Sequence, residues 1–322
     1  MNFFQFSLKS LRFVYRKVFG TNQPPPIQKI SDLQTANDML YQHLMLDKPC
    51  MVARFGSTEM MALVNYLGVH KTKKKNIFKY IQGKENDWWW NEKCLLQMRD
   101  WSGFFPPTVE IIERFCEMMI NDIPMVDILG SWLVDERYFQ EELKNATFID
   151  GMFLEPFWSN RPWTKALKGK KILVIHPFAQ SIRLQYEKRE LLFENRDILP
   201  EFELQTVKAV QSIGGVNNDF ADWFEALEYM KAETDKTDYD ICLIGCGAYG
   251  FPLAAHVKRT GKKSVHLGGS LQLLFGIRGA RWENPDYAPG YNYVALMNKH
   301  WVRPGEEEKP KNAEQVEGAC YW

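Results

Sequence analysis

No acidic residue precedes Asp32, and this is the first of several things the 322-residue chain lacks. It has no charge surplus, since forty Lys plus Arg stand against forty Asp plus Glu. Broad nucleic-acid binding needs surplus cations against phosphate. That class is set aside, and any anion site has to be local. The six cysteines, Cys50, Cys94, Cys116, Cys242, Cys246 and Cys320, contain no CxxC pair. In a chain this long they do not read as a disulfide framework, so a reducing, cytoplasmic compartment is the expectation. The histidines show no H-E-x-x-H spacing, the usual signature of a helical zinc site. The longest uncharged run, Ile241 to Val257 with His256 neutral, falls short of the roughly 20 residues a spanning helix needs. It is also broken by Gly245, Gly247, Gly250 and Pro252. No small-residue cleavage site follows the first apolar stretch, so no signal peptide is expected.

What is present begins with that acid-free N-terminus. Phe3, Phe4, Leu8, Leu11, Tyr15 and Val18 recur at helical steps, and Lys9, Arg12, Arg16 and Lys17 fill other positions. Gly20 and Pro24-Pro25-Pro26 then read as a helix stop and a stiff linker. Residues 1–26 are therefore a basic amphipathic segment. Two readings stand: residues 1–20 touch a membrane surface, or the helix packs on the domain or a partner. Residues 27–303 read as one α/β domain, and the charged stretch 304–322 as a solvated tail.

Within that domain, strands are expected at Cys50–Ala53, Pro124–Leu129, Lys171–Ile175, Phe202–Val210, Tyr239–Ile244 and Ser264–Leu267. Helices are expected at Gln28–Leu46, Thr58–Leu67, Glu92–Met98, Val109–Asn121, Leu133–Leu143, Ala179–Phe193, Phe220–Ala232 and Phe251–Arg259. Alternation of this kind, most regular over about 169–285, predicts a mostly parallel Rossmann-like sheet with helices on both faces. Ligands in such sheets bind outside the carboxyl ends of the strands. The loops after Ala53, Ile175 and Ile244 therefore matter most. Lys71, Lys73, Lys74 and Lys75 read as a solvated loop, or one that meets lipid phosphate. Trp88-Trp89-Trp90 reads as core or interface, with sugar stacking as the alternative.

Three loops carry candidate chemistry. Gly245-Cys246-Gly247-Ala248-Tyr249-Gly250 matches G-x-G-x-x-G between a strand and a helix, the setting in which glycines and free N–H groups cradle phosphate. A tight turn without a ligand is the alternative. A dinucleotide site also wants an acid at the next strand end. His266 stands there, followed by Gly268, so a nucleotide diphosphate fits better than NAD. In the second loop, Arg54 can bind a diphosphate bidentately, and Glu59 can act as a base or metal ligand. Alternatively Ser57 or Thr58 caps the helix and Glu59 complements its dipole. In the third, Ser181 and Arg183 can donate to phosphate, and His176 is a candidate base or a histidine simply held in place.

Val52-Ala53-Arg54-Phe55-Gly56-Ser57-Thr58-Glu59 resembles the strand, R-[FY]-G-D-G-E loop and helix of the GT-D-type glycosyltransferases of bacterial surface-glycan synthesis, once a domain of unknown function. Gly245 through Gly268 resembles that family's closing βαβ unit. The resemblance spans about residues 30 to 285. It implies transfer of a sugar from a nucleotide-diphosphate donor, UDP-linked by preference, to a glycan or lipid-linked acceptor. The enzyme would then be cytoplasmic or peripheral on the inner face of the membrane. The implied site comprises Glu59 as the catalytic acid, with Arg54, Gly56, Ser57, Ser181, Arg183, Gly245, Gly247, Ala248, Tyr249, Gly250, His266 and Gly268 around the donor. The family's D-x-E pair implies a divalent metal, Mn or Mg. Glu59 matches its acid, but Ser57 stands where the Asp is expected, which puts metal dependence in doubt. Two other readings stay open: a Rossmann methyltransferase using S-adenosylmethionine, and a non-catalytic scaffold of a glycan-assembly complex.

Overall fold

The structure is a computed structural model and describes residues 3–20, 27–70, 75–212, 219–310, 313–315 and 319–322. The triple-proline linker, Lys71, Lys73, Lys74 and parts of the tail lie outside the described residues.

Seven parallel strands form a single sheet in the order β3-β2-β1-β7-β6-β4-β5. They are β1 (Cys50–Ala53), β2 (Ile128–Ser131), β3 (Thr147–Asp150), β4 (Lys171–His176), β5 (Glu203–Lys208), β6 (Ile241–Ile244) and β7 (Lys263–His266). The expected Rossmann-like class is the one observed. The half at 169–285 is not a separate layer, because β7 pairs with β1, setting Cys50 against Lys263 and Val52 against Val265.

Both faces of the sheet are buried, so the central strands read as apolar runs. Alternate residues go to opposite sides. Cys50, Val52, Ile172, Val174, Ile241 and Leu243 face one core, with α2 (Leu33–Met45) over them. Met51, Ala53, Leu173, Ile175, Cys242 and Ile244 face the other. That second face is covered by α3 (Ser57–His70) and, after the short α4 (Ile77–Ile81), by α5 (Glu92–Asp100) and α6 (Val109–Asp122). The helix α7 (Ala179–Tyr186) lies on the first face, whereas α8 (Trp223–Asp235) and α9 (Gly250–Arg259) lie on the second.

The N-terminal helix α1 (Phe3–Phe19) forms as expected and sits beside α4, where Leu8 joins Tyr80, Trp88 and Trp89 in a small separate cluster. Trp88 and Trp89 thus pack between helices, and Trp90 packs against the second core. Leu133–Leu143 is not an α-helix; it contains a 3-10 stretch, Val134–Phe139, whose Glu136 accepts from the Trp132 and Leu133 amides. The tail also departs from expectation. Its Glu308 is 2% exposed, and Ala313, Cys320 and Trp322 are buried as well. Among the described residues, no helix is long and apolar enough to cross a membrane.

Candidate functional site

After β4 the chain moves outward to β5, whereas after β6 it moves the other way to β7. The carboxyl ends of β4 and β6 therefore flank a topological switch point, where open α/β sheets leave a crevice. A cavity of about 90 Å³ lies there. His176, Gly245, Gly247, Ser102, Gln272 and Trp322 are among its walls.

The glycine loop divides its labour. Gly247 has φ +58 and open space where a Cβ would stand, so the backbone is bare toward the cavity. Gly250 serves packing instead: a Cβ there would come within 2.3 Å of Nε2 of His266. Gly245 is wedged between the Gly268 carbonyl, His176 and Leu271. Ala248 is buried, and Tyr249 stacks on Trp223 with ring centroids 4.6 Å apart while its hydroxyl meets Ser212. Of the residues expected around the donor, Gly245, Gly247 and Tyr249 line the cavity, and Ala248 and Gly250 are structural.

Both histidines at the strand ends are neutral. Nδ1 of His176 accepts the Phe178 amide at 2.9 Å, which leaves the proton on Nε2. Burial pulls its pKa down to about 3. His266 is pulled to about 3 by burial first and the Arg54 charge second, against a weak pull upward from the Arg54 backbone.

The loop after β1 stands next to the cavity. The Arg54 guanidinium lies 4.8 Å over the Trp132 ring, and the Trp132 indole N–H donates to the Phe55 carbonyl, fixing that platform. The Arg54 side chain runs past Gly268, whose φ is +66 and whose Cβ position is 3.8 Å from Cδ of Arg54. Arg54 forms no ion pair among the described residues. Its charge is nevertheless felt by Glu155, a buried acid that accepts from the hydroxyl of Tyr293 at 2.7 Å and the indole of Trp158 at 2.9 Å. Burial raises the Glu155 pKa against those bonds.

Glu59 folds back over Gly56, where a Cβ would collide with its carboxylate, and it accepts from Oγ of Ser102 at 2.8 Å. Burial raises its pKa, opposed by its own amide and by Ser102. Gly56 is therefore required for the turn of Glu59 rather than for close approach of a ligand. Ser57 is exposed at the first position of α3 while Glu59 is turned inward, so the two do not form a D-x-E-like pair. Among the described residues, no three His, Cys, Asp or Glu side chains gather into a metal-holding group. A divalent ion does not fit Glu59 as it stands, because no second carboxylate joins it.

Two expected donors are engaged elsewhere. Ser181 donates its hydroxyl to Glu308, which also accepts from the Gln180 amide at 2.9 Å and caps the N-terminus of α7. The anion that Ser181 meets is the chain's own. Arg183 donates to the Thr206 hydroxyl at 2.7 Å, against the middle of β5 and away from the cavity.

Sequence reasoning missed Ser102, Glu155, Gln272 and Tyr293. Gln272 gives both amide hydrogens to the Ile277 and Tyr321 carbonyls, and its buried Oε1 has no partner among the described residues. None of the four stands in a motif; distant loops bring them to this edge. Comparison with family models, with curated proteins and with solved structures returns no match for this chain.

Proposed function

We propose that the chain is a sugar transferase whose donor, a nucleoside diphosphate sugar, binds at the β4–β6 crevice and whose Glu59 serves the acceptor. The observation that carries this reading is Ser102. One side chain both lines the cavity beside Gly247 and donates to Glu59, so a phosphate-suited loop and a buried carboxylate share a wall. The bare backbone at Gly247 supports diphosphate contact, and Arg54, which forms no ion pair among the described residues, supplies a cation beside Gly268.

In this reading the acceptor hydroxyl oxygen bonds to the anomeric carbon as the bond from that carbon to the diphosphate oxygen breaks. The hydroxyl proton passes to Glu59, a carboxylate whose pKa burial holds above its usual range. The diphosphate leaves with the bonding electrons, its charge met by Arg54 and the loop amides. No step runs through a metal.

The cavity holds about 90 Å³, against roughly 300–1,000 Å³ for ordinary ligand sites. Tyr321 and Trp322 are among its walls, so we propose that donor entry displaces the tail. The measured affinity is then the intrinsic affinity scaled by the open fraction.

Calorimetry with UDP, a UDP-sugar and S-adenosylmethionine tests the proposal. UDP should bind, and Gly247→Asn, which tolerates the same backbone conformation, should bind it at least about tenfold more weakly, roughly 1.4 kcal/mol, with an unchanged fold. Binding of S-adenosylmethionine alone would move the chain to the methyltransferases. Binding of none of the three would leave a scaffold.

A further inference from the structure

The helix α1 is docked inside out. Leu8 is buried, and Gln5, Ser7, Lys9, Arg12 and Tyr15 are half-buried, so most of what the helix turns inward is polar. Lys9 lies 3.2 Å and Arg12 4.0 Å from the Asp87 carboxylate, and the Arg12 guanidinium stands 4.9 Å over the Tyr80 ring. Between Arg12 and α3 a seam of about 180 Å³ stays unfilled, walled by Asn65, Asn86, Asp87 and Asn91 among others. The apolar residues point away from this seam. Phe3 is 85% exposed, Phe19 71%, Val18 66% and Val14 57%, with Phe4, Leu11 and Phe13 each above one half. A surface helix that serves only its own domain turns its apolar stripe inward. Here the polar side is the one held, and a contiguous apolar strip faces solvent. Phe78, on the helix that α1 packs against, is 78% exposed as well.

Charge says what covers the strip. The helix carries Lys9, Arg12, Arg16 and Lys17 and no acid. Among the described residues, Asp87 is taken by Lys9 and Arg12, and Glu92 also feels the Lys9 charge. Arg16 and Lys17 are exposed at its last turn, and the Lys17 ammonium lies 5.1 Å over the exposed Phe13 ring. Aromatic and aliphatic residues flanked by Arg16 and Lys17, which form no ion pair among the described residues, match an anionic lipid interface, into which such a helix sinks its apolar side. A second copy of the same surface would bring Arg16 and Lys17 toward their own kind.

We infer that α1 is a permanently formed, outward-facing helix that seats the folded domain on an anionic bilayer surface, with Phe3, Phe4, Leu11, Val14 and Val18 as the inserted side. This inference stands apart from the transfer reading and survives its failure. The test is co-sedimentation of the full chain with vesicles of equimolar phosphatidylglycerol and phosphatidylcholine, and with phosphatidylcholine alone. Binding is expected only to the first. Arg16→Gln with Lys17→Gln should weaken it about 25-fold, at about fivefold per cation. Leu11→Asp with Val14→Asp should abolish it without changing the melting temperature, because both side chains are exposed in the free protein. No binding to the anionic vesicles, equal binding to both kinds, or a lipid-free dimer that Leu11→Asp with Val14→Asp dissociates would each overturn the inference.

Discussion

The carboxyl edge of one sheet carries two different environments. Over β4 and β6 the walls are neutral: glycine backbone, a histidine held uncharged, Tyr249, Gln272 and the Tyr321–Trp322 cover, with no Lys or Arg among them. Over β1 and β3 the edge is charged: Arg54 on Trp132, Glu59 under Ser102, and Glu155 under Tyr293 and Trp158. Strand topology places the crevice, but it does not place the charge. A glycine loop alone is a socket for many ligands, and selection falls to the side chains of the neighbouring loop. Ser102 and Gly268 are the seam between the two halves.

The largest expected effect breaks the cover of the neutral half. Trp322 packs on Phe178 and is 7% exposed, so Trp322→Ala should cost about 3–5 kcal/mol of stability. If the tail competes with donor, UDP binding should tighten in the same variant. Urea unfolding and calorimetry on one preparation measure both.

The next breaks the charged half. Glu59→Gln should lower sugar transfer by a hundredfold or more, about 2.7 kcal/mol in the barrier, with the melting temperature nearly unchanged and UDP still bound. Full activity would reduce Glu59 to a partner of Ser102.

A pair of glycine substitutions sharpens the division within the loop. Gly250→Ala drives a methyl into the His266 ring and should cost about 1–3 kcal/mol. Gly247→Ala meets no atom within 4 Å and pays only for its positive φ, about 1–2 kcal/mol. Thermal melts rank them; the reverse order would mean the loop is built differently.

The two neutral histidines give a pH signature. Their folded pKa values, about 3, lie below the unfolded value near 6.5. The unfolded chain therefore binds protons first as pH falls. The stability they contribute is complete above about pH 6.5 and is lost progressively toward pH 3, by up to about 1.4 kcal/mol per pH unit for each histidine. Glu59, Glu136 and Glu155, whose pKa values desolvation raises, act in the opposite direction and flatten the slope above about pH 4.5. Urea midpoints from pH 7 to pH 4, with His266→Asn for comparison, check it. The smallest effect is expected from Ser57→Asp. It adds a carboxylate on the exposed side of a turn whose Glu59 points inward, so manganese titration should give the same affinity as the parent.

Much of the frame could be read from residues, because β1, β4 and β6 are apolar runs ended by Arg, His or Gly. Thr147–Asp150 went unread as a strand: it is four residues long, at the sheet edge, and only Ile149 in it is fully buried. Gly245 and Gly247 were legible as a loop at a strand end, but which glycine packs and which lies bare depends on the ring of His266, set by a different strand. Ser181 was read as a donor to phosphate, whereas in the fold its hydroxyl goes to Glu308. Glu308 sits in a run of three glutamates, whose local pattern signals solvent, and only the fold brings it to α7.

The central pairing of the sheet joins the first strand to the last, Cys50 against Lys263. During synthesis at about 5–20 residues per second, β1 waits on the order of ten to forty seconds for the strand that fills its open side. Until then Met51 and Val52 stand at a raw edge, beside a helix that already displays phenylalanines. The chain is thus slow in a way its stability does not reveal: its sheet closes late, through a contact of long sequence range. Its nascent form is most adhesive while the C-terminal half is still being made.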